Sequence, residues 1–194
     1  MWGLKMKEMT LNKKCRWDTP IKILSVMTLA LLMLANIAGA APFAYITNMG
    51  SNTTSVIDIA NNTVTATVPV GSGPEGVAVS PDGSKVYVAN NESNDISVIN
   101  TTDNTVIATV PVGINPLGVS VNPTGTKVYV ANDGSNTVSV IDTSSSTVIA
   151  TIPVGVYPLG VAVNPTGTKV YVTNSAYIST SPTGSRNRLG ITNI

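Results

Sequence analysis

Tyr171-Val172-Thr173-Asn174 is the last of four copies of one tetrapeptide, and these copies decide the fold. The tyrosines that open the copies lie 42 residues apart in every case. A fixed period of this length is typical of a supersecondary unit repeated along the chain, because one unit is too small to bury its own apolar face. The other three copies are Tyr45-Ile46-Thr47-Asn48, Tyr87-Val88-Ala89-Asn90 and Tyr129-Val130-Ala131-Asn132.

One repeat, taken from Gly118 to Val154, contains four short runs rich in valine, isoleucine, threonine and tyrosine. Each run is typical of a β-strand, and the Asn, Asp, Gly, Ser and Pro clusters between them are typical of turns. Four antiparallel strands in about forty residues are typical of one β-propeller blade, so we predict an all-β fold of such blades. The predicted strands are Val119–Val121, Lys127–Ala131, Thr137–Ile141 and Thr147–Val154.

Proline positions predict the order of the strands within a blade. Pro69, Pro111 and Pro153 all fall in the fourth run. Because proline cannot donate a hydrogen bond to a ladder, we expect this run at the outer edge. The first run, such as Gly76–Val79, is short and small-sided, which favours an inner strand near the axis. A Pro-x-Gly turn, such as Pro74–Gly76, is predicted before it.

Residues 1–40 have a different character from the repeats. Six basic residues precede an apolar run, Ile23–Leu34, and the small-residue site Ala38-Gly39-Ala40 follows. These are the three parts of a secretory signal peptide, and an uncleaved signal anchor stays open as the alternative. We expect an exported protein, at the cell surface, extracellular or periplasmic. The predicted organisation is a leader over 1–40, propeller repeats over 41–176 and an off-register tail over 177–194.

The composition after residue 40 restricts the chemistry. This part has five basic and eight acidic residues, and it has no histidine, cysteine or tryptophan. Disulfides and histidine- or cysteine-based catalytic and zinc sites are therefore excluded there. A mildly acidic body without a basic patch argues against nucleic acid as a partner. We predict no enzyme activity, no catalytic residue, no cofactor and no metal site.

Carboxylates are the remaining candidates for chemistry. Asp58 and Asp142, with Asn100 at the equivalent position, end the third strand of a repeat, where such residues usually form turns. The loop Asn90–Asp95 carries several oxygen atoms but lacks the ordered spacing of a calcium loop, so we interpret it as a solvated hairpin. The other acidic residues after the leader lie in predicted turns: Glu75, Asp82, Glu92, Asp95, Asp103 and Asp133.

Glu75 differs from its repeat equivalents, since leucine stands at positions 117 and 159. Loops next to the inner strand can line a central mouth, so a site at Glu75 is a hypothesis. The repeated tyrosines invite a stacking or sugar-binding interpretation. Their identical position in every repeat favours packing between blades instead.

Four Asn-x-Ser/Thr triplets after the leader are candidate glycosylation sites, and all fall in predicted hairpin loops. Their asparagines are Asn52, Asn61, Asn91 and Asn100.

The tetrapeptide at Tyr171–Asn174 spells the signature of the YVTN family of β-propeller repeats, which residues 44–174 resemble. The Pro-x-Gly turns and the Thr-Val-x-Ala-Thr strands recur in register with it. Members are similar to propeller domains of archaeal surface-layer proteins, methanogen surface antigens, and periplasmic or secreted bacterial proteins. The resemblance implies a seven-bladed propeller at the cell surface, usually without a defined catalytic residue set.

The number of repeats bears on function. Residues 44–174 hold little more than three periods, so we predict about three blades of an incomplete ring, whereas closed rings have about four to eight. Open blade faces would bind another copy, other propeller fragments, or envelope proteins or glycans. The leading hypothesis is a noncatalytic exported surface protein. Alternatives are a propeller enzyme or small-ligand binder of the lactonase or quinoprotein type, and a truncated gene remnant.

Overall fold

The computed structural model describes residues 43–179 and 185–194, and the predicted leader lies outside them. Within this part the chain is all-β, with one short 3-10 turn at Met49–Ser51. No helix there is long and apolar enough to cross a membrane. The strands form four antiparallel sheets, two of them four-stranded. The predicted all-β fold of antiparallel four-stranded blades, in an incomplete propeller, is confirmed. The described residues form four sheets where about three blades were predicted, and the first and last of these have three strands.

Each sheet is one blade, and the strands are numbered in chain order. Blade 1 contains β1 (Phe43–Asn48), β2 (Thr53–Asp58) and β3 (Thr63–Pro69). Blade 2 contains β4 (Pro74–Val79), β5 (Lys85–Asn90), β6 (Asp95–Asn100) and β7 (Thr105–Pro111). Blade 3 contains β8 (Pro116–Val121), β9 (Lys127–Asn132), β10 (Thr137–Asp142) and β11 (Thr147–Pro153). Blade 4 contains β12 (Pro158–Val163), β13 (Val170–Ser179) and β14 (Ser185–Asn193).

Proline marks the outer edge of three blades, as predicted. Hydrogen bonding orders blade 2 as β4-β5-β6-β7, so Pro111 lies in the last strand. A β-bulge between Val98 and Ile99 shifts the pairing of β6 with β7, and blades 1 and 3 carry the equivalent bulge. Bulges and prolines both disfavour pairing of an exposed edge with another chain.

The Pro-x-Gly segments are strand residues, so their prediction as turns was wrong. Pro74 is the first residue of β4 and pairs with Asn90, and the register shifts before Val77 pairs with Val88. Proline is tolerated at a strand start, and the irregular pairing absorbs the extra residues. The segment therefore begins the inner strand instead of preceding it.

The inner strands approach one another closely around the axis, where β4 packs against β8 and β8 against β12. A Cβ atom on Gly76 would collide with the backbone oxygen of Leu117. On Gly118 it would lie 2.5 Å from the backbone oxygen of Leu159. Glycine at these positions permits this approach.

The core lies between blades. Tyr87 is 1% exposed, and together with Ala89 it packs against Val128 and Val130 of blade 3. Tyr45 of blade 1 is likewise buried in one cluster with residues of β5. The predicted packing role of the repeated tyrosine is thus confirmed at both positions.

In blades 2 and 3 the asparagine that ends the tetrapeptide ties the second strand to the third. Asn90 and Asn132 are fully buried, and each donates a hydrogen bond from Nδ2 to a serine of the neighbouring strand, 2.9 Å to Ser97 and 2.9 Å to Ser139. These bonds give the buried amide nitrogens a hydrogen-bond partner, as burial of a polar group requires, and they hold the two strands together.

The tail after Ala176 adds a strand that the sequence pattern did not reveal. β13 continues to Ser179, and β14 pairs antiparallel with it from Tyr171↔Asn193 to Ser179↔Ser185. Val170 and Ile194 also exchange backbone hydrogen bonds of 2.9 Å. The tail is therefore the third strand of blade 4.

The turn between β4 and β5 contains a carboxylate with a lowered pKa. Asp82 accepts hydrogen bonds from the hydroxyl of Ser80 at 2.6 Å and from the backbone N–H of Ser84 at 3.0 Å. These bonds, led by that of Ser80, lower the pKa of Asp82 to about 2. Gly83 follows with a φ of 72°, the left-handed conformation expected of the glycine in this turn.

We expect the stability that Asp82 contributes to be present above about pH 4 and lost as the pH falls through about 2, because its folded pKa lies below the unfolded one. Asp82 is exposed, so after allowance for solvent screening the contribution is about 0.5–1 kcal/mol. The variant that tests this is the double substitution Ser80→Asn/Asp82→Thr, which installs the neutral pair found at Asn122 and Thr124. The wild-type chain is the reference. Urea unfolding at pH 5 and pH 2 should show a smaller acid loss in this variant. An unchanged loss would contradict the assignment.

Candidate functional site at the blade axis

An open depression of about 630 Å³ lies where the inner strands of three blades meet. Glu75, Leu117 and Leu159 line it from the same position in three repeats, directly before the glycine of each Pro-x-Gly segment. The close approach of the inner strands brings these side chains together. The other lining residues are Thr47, Met49, Pro74, Gly76 and Gly118.

Thr47 fixes the wall of the depression beside Glu75. Its hydroxyl donates a 2.7 Å hydrogen bond to the backbone oxygen of Glu75, which joins blade 1 to blade 2. Blades 2 and 3 have alanine at this tetrapeptide position, and blade 4 has Thr173. There the backbone N–H of Gly160 donates to the Thr173 hydroxyl at 2.9 Å. Sequence reasoning missed Thr47, although the exchange of alanine for threonine was the available signal.

The chemistry of the depression is that of one carboxylate in a largely apolar wall. Glu75 and Leu159 are exposed, and so is Met49, which sequence reasoning also missed. Among the lining residues that the structure describes, Glu75 alone is titratable in the ordinary pH range. Such a wall can contact the apolar part of a ligand while the carboxylate pairs with a positive charge. It does not provide the two opposed acid and base groups of a glycosidase-type site.

Most of the other carboxylates lie at the opposite ends of the strands and form turns. Asp58 accepts from the backbone N–H of Ala60 at 2.8 Å, and Asp103 accepts from that of Thr105 at 3.2 Å. Hydrogen bonds led by that of the Ser144 hydroxyl lower the pKa of Asp142 to about 2. The interpretation of Asp58 and Asp142 as turn formers is confirmed by these bonds.

The loop Asn90–Asp95 connects blades through its oxygen atoms. The side-chain oxygen of Asn94 accepts from the backbone N–H of Asn115 at 2.8 Å, and Asn115 Nδ2 donates to Asn91 Oδ1 at 3.2 Å. Asn90 Nδ2 donates to Asp95 Oδ1 at 2.6 Å. Across the described residues, no three His, Cys, Asp or Glu side chains are grouped so that they could hold a metal ion.

The four candidate glycosylation asparagines differ in accessibility. Asn52 and Asn61 are exposed, whereas Asn91 and Asn100 are half-buried. Asn61 Nδ2 donates to Asp58 at 2.7 Å. Their modification stays a prediction.

Residues 43–151, more than half of the chain, match the family described as lactonase, 7-bladed beta-propeller. The chain belongs to this lactonase family. The family description agrees with the blades of this chain. The family is named after an enzyme, whereas the resemblance of the tetrapeptides implied a surface protein.

Solved structures share the propeller fold. Hydrazine synthase from Kuenenia stuttgartiensis is 27% identical with a TM-score of 0.69, and the match covers 77% of this chain and 42% of that one. The dihydro-heme d1 dehydrogenase NirN, solved in complex with DHE, is 18% identical with a TM-score of 0.60, over 76% of this chain and 35% of its own. At that identity the likeness shows the fold alone.

Two further relatives have less informative names. A functionally unknown protein from Desulfotomaculum acetoxidans is 18% identical with a TM-score of 0.58, over 70% of this chain and 47% of that one. A PE-PGRS family protein of Mycobacterium tuberculosis is 65% identical over 37 residues, which is 19% of this chain and 8% of that protein. The chain thus spans less than half the length of each of these proteins.

Proposed function

We propose that this chain is a noncatalytic exported propeller protein whose repeats serve structural or interaction roles at the cell envelope. The observation that carries the proposal is the composition of the axial depression, where Glu75 faces Leu117 and Leu159. The YVTN-type tetrapeptides and the leader motif support the surface-layer or surface-antigen type of role.

Hydrolysis at the depression would need more than Glu75. A lone carboxylate can act as a general base, but it needs a nucleophile within hydrogen-bond reach and donors for the developing negative charge. Among the lining residues the hydroxyl group belongs to Thr47, and it already donates to the backbone oxygen of Glu75. Leu117 and Leu159 supply no hydrogen-bonding group from their side chains. This arrangement favours contact with a partner over chemistry.

A second candidate function is a lactonase-type enzyme or small-ligand binder. Membership of the lactonase family favours it, as does the placement at the axis of Glu75, which stands where the next two repeats have leucine. Under this alternative Glu75 would orient a ligand or activate water. The two candidates differ in what they predict for a Glu75 variant.

We expect the full chain to hydrolyse neither sugar lactones nor aliphatic lactones above the buffer rate, as measured by acid release in a pH-stat. Glu75→Leu, which installs the residue found at positions 117 and 159, and Glu75→Gln should give the same rates. Turnover that either variant lowers about tenfold or more would establish the enzyme alternative and overturn the proposal. Turnover unaffected by both would also overturn it, since the chain would then be catalytic elsewhere.

A further inference from the structure

The three contacts between neighbouring blades are built in the same way. The tyrosine side of the strand that carries the tetrapeptide in one blade packs against the alternating valines of the corresponding strand in the next. Tyr87 packs in one cluster with Val128 and Val130. Tyr45 packs with residues of β5, and Tyr129 with residues of β13, in the same manner.

Blade 1 leaves the valine half of this interface uncovered by the described residues. Ile46 stands where Val88 and Val130 stand in the next two blades, and it is 49% exposed whereas both valines are 0% exposed. Ile57 is half-buried, while its equivalent Ile99 is fully buried. We call the surface formed by Ala44, Ile46 and Ile57 the Ile46 face.

Blade 4 leaves the tyrosine half of the interface uncovered by the described residues. Tyr171 is 40% exposed, against 1% for Tyr87 at the equivalent position. Thr173 beside it is half-buried, whereas the equivalent Ala89 is fully buried. We call the surface formed by Tyr171 and Thr173 the Tyr171 face.

We propose that the Tyr171 face of one copy of this chain binds the Ile46 face of a second copy. The two faces are the two halves of the contact that the chain already makes three times between its own blades. All five residues of the faces are uncharged, so bringing them together buries no unpaired charge. Because each copy carries one face of each kind, a second copy supplies the missing half without any other partner.

The contact is head-to-tail, since unlike faces meet. This distinguishes it from nonspecific association of exposed apolar surface, in which either face would also bind itself. The inference rests on the proposed interaction role and names a partner for it.

The test uses the full chain with Ile46→Glu or Tyr171→Glu, in sedimentation velocity over a hundredfold concentration range. The wild-type chain should associate as its concentration rises. Each variant alone should raise the apparent dissociation constant about tenfold or more, because a buried glutamate would lack a partner. An equimolar mixture should form a two-chain complex, because each variant keeps the face that the other has lost.

The matched control is Ile107→Glu, on the outer strand β7, which is as exposed as Ile46 and lies on neither face. It should associate like the wild type. Circular dichroism checks folding, and the milder Ile46→Thr and Tyr171→Thr replace any variant that fails it. A monomeric wild-type chain, a glutamate variant that self-associates as strongly as the wild type, or a mixture that stays monomeric would overturn the proposal.

The lactone assay is independent of this test. A monomeric chain without lactone turnover would contradict the pairing of the two faces alone. An associating chain with turnover would contradict the noncatalytic role alone.

Discussion

Replacing Gly118 by alanine is expected to lower the free energy of unfolding by about 2–3 kcal/mol. The new Cβ would lie 2.5 Å from the backbone oxygen of Leu159 and 3.0 Å from Gly160 Cα. Backbone atoms cannot move aside as a flexible side chain can, so inner strands β8 and β12 would have to separate. Gly76→Ala should behave alike, because its Cβ would collide with the backbone oxygen of Leu117. Urea unfolding followed by circular dichroism measures both losses.

Gly160→Ala is the matched control for this prediction. Gly160 occupies the same repeat position, yet an added Cβ would meet only the Thr173 hydroxyl, at 3.1 Å. The substitution should change stability by no more than about 0.5 kcal/mol. Equal losses of unfolding free energy at Gly118 and Gly160 would show that glycine is needed for the backbone conformation of the strand itself. The close approach of neighbouring strands would then not be the reason for glycine.

Replacing Tyr87 by alanine is expected to cost about 3–5 kcal/mol, the range for removal of a fully buried aromatic side chain. Tyr87 is 1% exposed and fills the contact between blades 2 and 3. Its removal would leave a cavity against the β9 valines. Chemical unfolding at a concentration below that of any association measures the loss.

Tyr171→Ala tests the same residue type at the same repeat position without the neighbouring blade. Tyr171 is 40% exposed, so its removal should cost less than about 1 kcal/mol. A loss as large as that at Tyr87 would mean that Tyr171 is packed inside the chain. The Tyr171 face would then not be open to a partner.

Much of the fold could be predicted from the sequence because the residues that mark strand edges and turns recur at the same position in several repeats. Prolines fix the outer edge, and Gly83 and its equivalents Gly125 and Gly167 fix the first turn of blades 2 to 4. The start of the inner strand could not be predicted from the pattern alone. Pro74-Glu75-Gly76 has turn-forming residues, but its conformation depends on pairing with β5.

The strand β14 could not be predicted because its own residues lack the alternation of apolar and polar residues that is typical of a strand. Ser185–Asn193 shows no apolar alternation like that of Thr137–Asp142. Its backbone pairs with the exposed edge of β13, and a backbone ladder can form with many sequences. Pairing with β13 therefore determines that Ser185–Asn193 forms a strand.

The candidate site was only partly predictable. Glu75 was recognisable as a deviation from leucine at a repeat position. Its convergence with Leu117 and Leu159, however, depends on how closely the inner strands pack. Met49 and Thr47 join the site from another blade, and no sequence spacing connects them to Glu75.

Hydroxyl-radical footprinting of the wild-type chain at low and high concentration tests most directly whether its repeats form an interaction surface. We predict that Ile46 and Tyr171 become protected together as the concentration rises, while Ile107 on the outer strand keeps its reactivity. The common onset would reflect one contact that covers both faces. Protection of one face without the other, or of neither, would contradict the account.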